Sequence, residues 1–563
     1  MTDRGLVAWR PPVGADPSAL RLLSSKLGVS NLMARILHAR GLGDPGRAAR
    51  FLDPRLSDLP KPTAMAGIEL AVDRLVRAVE RRERIAVYGD YDADGLTSTA
   101  VALLSLRTLG LDVEPWLANR FEHGYGVAPA GVDEMARDGR TLLLALDCGT
   151  TDHEALARAR DLGLDVVVVD HHAPSGGLPP ALAVINPFQE RCEFPDKGLA
   201  SVGLTFYLMA ALKTRLSASL DLHELLDLVA VGTVADVAPL VGANRILVHR
   251  GLARINSRPR PGLAALCGLS DQPSRASAAT IGFQLGPRIN AAGRLGHAGP
   301  ALDLLLAASD SEASPLARTL DELSQRRRAI QDQVADEAEA EAREQVARGH
   351  AAIVVSGAGW HQGVIGIVAS RLCEQHWRPA AVVSVEGSQG KASARAPAGI
   401  DLHEALQECS RFLDRFGGHA GAAGFSLAVA DLDAFHSALD RAVERQLGGA
   451  SLGREICTDA EVVESELHLA TAAEIAKLEP FGEANPEPVL LVRGLRPVTV
   501  REVRGGHISG VLELGRTQVK VFGPNMGATW PAGADRIDVL CFLRRDAFRG
   551  DERVELRLLD VKA

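Results

Sequence analysis

Ile85-Ala-Val-Tyr-Gly-Asp90-Tyr-Asp92-Ala-Asp94-Gly95 is a short apolar run that stops in three alternating aspartates and a glycine. In extended chain, residues i, i+2 and i+4 point the same way, so the spacing predicts that Asp90, Asp92 and Asp94 converge on one site. Three carboxylates that close repel one another unless a cation sits between them. Hard oxygen ligands suit Mg²⁺ or Mn²⁺. The same D-x-D-x-D-G pattern opens an EF-hand loop. That loop needs a Glu at its twelfth position, which here is Val101, and a preceding helix where this chain reads as strand. A solvated acidic turn is the other plain reading.

Around this stretch, the 563-residue chain has room for three or four domains. Its seven cysteines form no CxxC pair, so neither a zinc site nor a disulfide framework is indicated, and a reducing cytoplasm fits best. Met1-Thr-Asp-Arg starts no apolar leader, and no run is long and apolar enough for a membrane span. A net charge of −9 argues against indiscriminate coating of nucleic acid, though not against a local basic channel.

Residues 1–64 are Pro-punctuated with short helical pieces at 20–27 and 31–40, and read as a packing arm. A helix is expected over 65–82. From Ile85, short β-rich runs alternate with helical stretches: 85–88, 113–118, 142–146, 165–169 and 183–185. This alternation predicts a doubly wound parallel sheet in an α/β domain spanning 65–305. Right-handed crossovers then bring the strand C-termini to one edge, where open α/β sheets bind ligands. The first run ends in the Asp90 cluster, the third in Asp147 and the fourth in Asp170-His171-His172; a later apolar segment, 225–234, ends in Asp236. One aspartate after a strand is usually a helix cap. Four segments delivering acids to the same edge call for a different explanation.

Ser314-Pro315 suggests the start of a long amphipathic connector helix within 306–348. A second α/β unit follows over 349–450. Short alternating β runs over 451–563 suggest a small barrel. From Leu491 onward, Lys and Arg number 13 against 9 acids, so this module is locally basic.

Five motifs in order carry a resemblance. Asp90-Tyr-Asp-Ala-Asp-Gly95, Asp147, and Asp170-His-His172 followed by Asn186-Pro187 resemble the DHH phosphoesterase family. Gly359-Trp-His-Gln-Gly-Val-Ile-Gly366, Ser393-Ala-Arg395 and Gly417–Gly424 resemble its companion DHHA1 domain. With Gly286-Pro-Arg-Ile-Asn-Ala-Ala-Gly-Arg294 and a C-terminal OB-like nucleic-acid-binding barrel, the likeness narrows to bacterial enzymes that degrade single-stranded DNA from the 5′ end. The resemblance implies 5′→3′ exonuclease activity releasing 5′-mononucleotides, a role in recombination and repair, and partnership with single-strand-binding protein and a repair helicase. Many relatives carry His where this chain has Tyr88, so no metal contact is expected there.

The resemblance also implies two metal ions. Two divalent cations about 3.5–4 Å apart activate water and stabilise the leaving oxygen in phosphoryl hydrolysis. Asp90 and Asp92 are assigned to one ion, Asp94, His171 and Asp236 to the other, and Asp147 to the bridge. The imidazole favours Mn²⁺ over Mg²⁺. Asp170 and His172 are read as supporting or substrate contacts within the catalytic set. For the strand itself, Arg120, Arg288 and Arg294 are candidate phosphate contacts, as are Ser393, Arg395 and His419 in the second domain. Each arginine could equally be a surface or ion-pair residue. The 417–424 run either offers free N–H groups to phosphate or permits close helix packing. Arg326–Arg328 reads as a solvated face. Phe522, Trp530, Phe542 and Phe548 are base-stacking or core candidates. Two rivals stand beside this reading: another DHH-type hydrolase acting on oligoribonucleotides or small phosphates, and a non-catalytic replication scaffold.

Overall fold

The computed structural model describes residues 7–546 and 553–563, apart from 13, 120, 122–125, 175, 270–274 and 451–452. The chain forms two compact units. One holds residues 9–290, 298–317 and 457–563; the other holds 291–297 and 318–456, together with residues 7 and 8.

In the first unit, α1 (Pro17–Leu27), α2 (Asn31–Ala39) and α3 (Pro45–Leu52) lead into α4 (Ile68–Arg81). Asp16, Ser30 and Asp44 cap the first three through their side chains. The arm does not pack on the parallel sheet: Leu23, Leu32, Met33, Ile36 and Leu37 share a core with Val462, Leu490, Val492 and Val539 of the C-terminal region.

The parallel sheet comprises β1 (Arg84–Gly89), β2 (Asp112–Leu117), β3 (Leu142–Leu146), β4 (Asp165–Val169) and β5 (Ala183–Ile185), in the order β2-β1-β3-β4-β5. Every pairing is parallel. In this order the winding reverses between β1 and β3, and the crevice at that point is where such sheets bind ligands. β3 and β4 are short continuous apolar runs because both their faces are covered. Between strands run α5 (Ala93–Thr108), α6 (Pro129–Arg137) and α7 (His153–Asp161), followed by α8 (Ser201–Leu216), α9 (Leu226–Ala235) and α10 (Gly242–Ser257). α5 is buried almost all round, packed between the sheet, α8 and α9. The apolar segment 225–234, read with the strands, is therefore helical. Its ten residues are nearly all apolar, so periodicity could not distinguish a buried helix from a buried strand.

Among the described residues, the barrel strands are β11 (Leu490–Val503), β12 (His507–Leu514), β13 (Thr517–Gly523), β14 (Ile537–Asp546) and β15 (Arg553–Lys562). They pair in the order β11-β12-β13-β15-β14, and β14 returns to β11 to close the ring. Arg245 on α10 ties barrel, arm and sheet domain together. Its guanidinium lies 3.8 Å over the Phe51 ring and donates to the carbonyls of Phe51 and Leu478. Burial pushes its pKa down to about 10.

α11 (Gly286–Leu295) and α12 (Asp310–Ala347) carry the chain into the second unit. α12 is 38 residues long and starts before the expected Ser314 cap. The start is Ser309-Asp-Ser-Glu312: Ser309 Oγ accepts from Glu312 N, and the Glu312 carboxylate accepts from Ala308 N. This cap-and-reach-back arrangement outcompetes the later Ser-Pro, and Pro315 is carried inside the helix. The second unit's sheet contains β6 (Ile353–Ala358), β7 (Ala380–Glu386), β8 (Gln389–Arg395), β9 (Arg415–His419) and β10 (Ala422–Ala428) in the order β9-β10-β8-β7-β6. Only β6 and β7 pair in parallel. α12 and α13 (Ile365–His376) cover one face, and α14 (Leu432–Leu447) packs on the other. Among the described residues no helix is long and apolar enough to cross a membrane.

Candidate active site

Each parallel strand hands over to its acid at the same point. Asp90 N donates to Leu146 O, Asp147 N to Val169 O, and Asp170 N to Ile185 O. Each aspartate thus extends its ladder by one residue, and the three carboxylates leave the sheet together on either side of the switch point. Asp147 takes a φ of +62°, a conformation in which aspartate is better tolerated than most residues.

Asp92 and Asp94 reach the site differently from the expected strand alternation. The chain turns from β1 into α5 at once, and Asp92 is the N-cap, accepting from the backbone N–H groups of Asp94 and Gly95. Asp94 lies in the first helical turn and is fully buried. Its Oδ2 accepts from Ser201 N at 2.7 Å and its Oδ1 from Val202 N at 2.9 Å, both at the start of α8. Gly95 makes the tight turn possible, since a Cβ there would sit 2.5 Å from Asp90 O. Asp236 comes from the C-terminal end of α9.

The ligand-type atoms gather in linked groups. Asp90, Asp92 and Asp147 form one; Asp94, His171 and Asp236 form another; Asp147, His171 and His172 join them. In each group the ligand atoms lie within 4.8 Å of one another. His171 Nε2 is 3.3 Å from Asp147 Oδ1, 3.8 Å from Asp236 Oδ2 and 3.9 Å from Asp94 Oδ2.

The electrostatics describe a site short of positive charge. Burial, then the charge of Asp92, raises the Asp94 carboxyl to about 7, although two backbone N–H groups oppose the shift. Burial with the charges of Asp94 and Asp92 raises Asp236 to about 9. Asp147 is pushed well up by burial and by Asp94, Asp92 and Asp90. Burial, with His172 beside it, lowers His171 to about 4, leaving a neutral imidazole able to ligate. Buried acids crowded around a neutral imidazole fit divalent cations. Metal chemistry raises no conflict with this donor set.

Asp170 serves a different purpose. It is buried, yet hydrogen bonds from His172 and Thr150 outweigh that burial and hold it near 2. Its Oδ1 meets His172 Nδ1 at 2.7 Å, and its Oδ2 accepts from Thr150 N. The His172 pKa is raised because this bond overcomes desolvation. Asn186 completes the loop by donating to His172 O and Thr150 Oγ1. Asn290 had no assigned role in the sequence reading, and its Oδ1 accepts from Ala93 N at 2.7 Å, beside Asp92. The sole sequence signal for it was its place within the small-residue run 286–294. The Tyr88 hydroxyl donates to Gly126 O.

These features sit in one lineage. Residues 84–233 match the DHH family N-terminal domain, 349–445 the DHHA1 domain, and 458–560 the RecJ OB domain. The chain is 37% identical to the single-stranded-DNA-specific exonuclease RecJ of Salmonella typhimurium, over 94% of this chain and 95% of that protein. The chain belongs to the RecJ family. It is also 37% identical to the Bacillus subtilis RecJ, covering 91% of this chain but 65% of that longer protein. The Thermus thermophilus RecJ solved with Mn²⁺ superposes at a TM-score of 0.85 with 34% identity, covering all of this chain and 80% of that one. The same protein has also been solved with Mg²⁺.

The substrate candidates divide. Arg120 and Phe548 lie outside the described residues. Arg288, on α11, bonds the carbonyl of Gln284. In the second unit, Ser393 pairs across β10 with Gly424, which pairs with Gly417; Arg395 pairs with Ala422, which pairs with His419. Directly paired residues share a face, so Ser393, Arg395 and His419 rim a strip of glycine and alanine. The 417–424 run is thus a β-hairpin, and close helix packing does not account for it. Gly366 opens α13 against this strip, where a Cβ would meet Ser393 Oγ at 3.0 Å. Arg294 donates to Gly363 O in the adjoining loop. Phe522 and Phe542 are half-buried and each lies beneath an arginine, Arg557 and Arg544 respectively.

Proposed function

We propose that this chain is a divalent-metal-dependent, single-stranded-DNA-specific exonuclease. In this reading Asp90, Asp92 and Asp147 hold one cation, and Asp147, Asp94, His171 and Asp236 hold the second. The single observation carrying it is the convergence of these side chains at the switch point of the parallel sheet, with His171 and Asp147 joining the two groups. Bound there, two cations supply activation of the attacking water and charge stabilisation on the leaving oxygen.

The chain's own residues do the remaining work. Asp94 is fixed by the α8 N–H groups, so its carboxylate is pre-set rather than mobile. Asp170 orients His172 through Nδ1 and keeps it protonated further up the pH scale, leaving Nε2 to donate to a phosphoryl oxygen. Ser393, Arg395 and His419 bind backbone phosphates along the small-residue strip, and the barrel holds further strand by charge and stacking.

The relatives are single-stranded-DNA-specific exonucleases, which supports single-stranded DNA as the substrate. By resemblance we extend this to attack from the 5′ end with release of 5′-mononucleotides, and to recombination and repair in the cytoplasm beside a single-strand-binding protein and a helicase. A small-phosphate hydrolase has no use for the closed barrel.

The test is Mn²⁺-dependent digestion of 3′-labelled single-stranded DNA, duplex DNA and RNA, with Asp147→Asn as control. Progressive shortening of the single strand alone, lost in the variant, is expected. Turnover restricted to dinucleotides or small phosphates would move the assignment to the rival hydrolase.

A further inference from the structure

One segment beside the acids has no part in the chemistry above. Ile281–Leu285 is a single π-helical turn that runs directly into α11. Such turns recur at functional positions because the added residue re-aims its neighbours. Ile281 and Leu285 are fully buried, whereas Phe283 between them is 79% exposed. A phenylalanine this open forgoes most of the burial its ring could have.

The turn lies against the end of α9. A Cβ on Gly282 would sit 3.8 Å from Val234 Cγ1, and one on Gly286 3.1 Å from Ala235 Cβ. The next residue along α9 is Asp236, which faces His171. Val237 follows, 64% exposed and at φ +59°. A β-branched residue in the left-handed region is strained, and such strain gathers where function maintains it. α11, which continues the segment, is pinned beside Asp92 through Asn290 and Ala93 N. Two outward apolar side chains therefore stand on elements that are themselves fixed to the carboxylate cluster.

We infer that Phe283, with Val237 on the adjoining end of α9, is a stacking platform for an unpaired nucleobase of the strand being cut. The inference rests on the nuclease reading of the site. A single strand offers phosphates, sugars and bases, and of these only the base has a flat apolar face suited to a bare phenyl ring. In a duplex, neighbouring bases already cover those faces, so the platform rewards single strands and is tolerant of sequence.

The test uses 3′-labelled single strands, each with one abasic unit at a successive position from the 5′ end. Wild type is expected to lose kcat/KM by roughly 5- to 100-fold when the abasic unit occupies one particular position. Phe283→Ala should show the same loss on the intact strand and no further loss at that position, and Phe283→Trp should restore the wild-type pattern. Melting temperature and Mn²⁺ binding should be unchanged, because the ring is exposed. Wild-type kcat/KM for Phe283→Ala on the intact strand would overturn the inference. So would losses from variant and abasic unit that simply multiply. A change of oligomeric state with unchanged cleavage would assign the ring to a second copy of the chain instead. If wild type cleaves none of these strands, the nuclease reading itself fails, and this inference with it.

Discussion

The parallel sheet and the mixed sheet of this protein present polar groups in opposite ways. The parallel sheet drives carboxylates into its own interior: Asp90, Asp94 and Asp147 are buried, and their mutual repulsion is left for cations to relieve. The mixed sheet leaves one strip open, with exposed Gly417 and Gly424 in its floor and Ser393, Arg395 and His419 at its rim. Buried, crowded charge suits chemistry that needs strong fixed fields. A half-buried arginine beside exposed small residues suits binding a polymer that must arrive and leave. The difference predicts that damage to the first sheet removes turnover, and damage to the second weakens substrate binding.

The largest effect should come from Asp147→Asn. Asparagine tolerates the left-handed backbone, so the fold persists. Cleavage is expected to fall by roughly a thousand-fold, equivalent to about 4 kcal/mol of transition-state stabilisation. Without metal the variant should melt higher than wild type, because one buried acid is gone. Equal turnover in the two proteins would break the contrast.

Arg395→Ala should cost less, roughly 10- to 100-fold in kcat/KM, mostly as a raised KM, from the loss of charge-assisted phosphate bonds. Mn²⁺ binding, followed by calorimetry, should stay at the wild-type level. A pure kcat loss would place Arg395 with the chemistry instead of the binding.

A graded effect is expected with pH. Asp94 and Asp236 titrate near 7 and 9 in the folded chain, above the ordinary carboxyl value of 3.8. A raised carboxyl contributes stability that is fully present below the unfolded pKa and is lost as pH rises through the folded one. The metal-free protein should therefore lose stability from about pH 4 to about pH 9 through these groups, while the rise in melting temperature on adding Mn²⁺ grows over the same window. Thermal unfolding with and without Mn²⁺ at several pH values checks this; a metal shift independent of pH would contradict it.

The smallest effect concerns Val237→Gly, expected to stabilise the metal-free fold by up to about 1 kcal/mol by relieving the left-handed backbone. A urea midpoint that fails to rise would mean that the conformation carries little strain.

Much of the parallel sheet was legible in the sequence. Strands buried on both faces are apolar runs that end abruptly in acids, so 142–146, 165–169 and 183–185 could be read to the residue. What sequence spacing could not show was the immediate turn from β1 into α5. Alternating aspartates look alike whether they continue a strand or cap a helix, and Asp92 caps. The turn into the helix, and not strand alternation, is what brings Asp92 and Asp94 beside Asp90. Ser-Pro is a louder local signal than Ser309-Asp-Ser-Glu312, so the sequence points past the true start of α12. The hairpin at 415–428 was obscured by glycines that carry no periodicity. The docking of the N-terminal helices on the barrel is a long-range contact, and nothing local encodes its partner. Phe283 gave no signal, since an isolated aromatic in sequence does not declare its exposure.

A paired-cation site at the switch-point acids is open to direct measurement. Titration of the metal-free protein with Mn²⁺, followed by electron paramagnetic resonance, tests it directly. Two ions per chain are expected, with the spin-coupled signal of a close pair that Asp147→Asn abolishes. One isolated ion, or two uncoupled ones indifferent to Asp147→Asn, would contradict it.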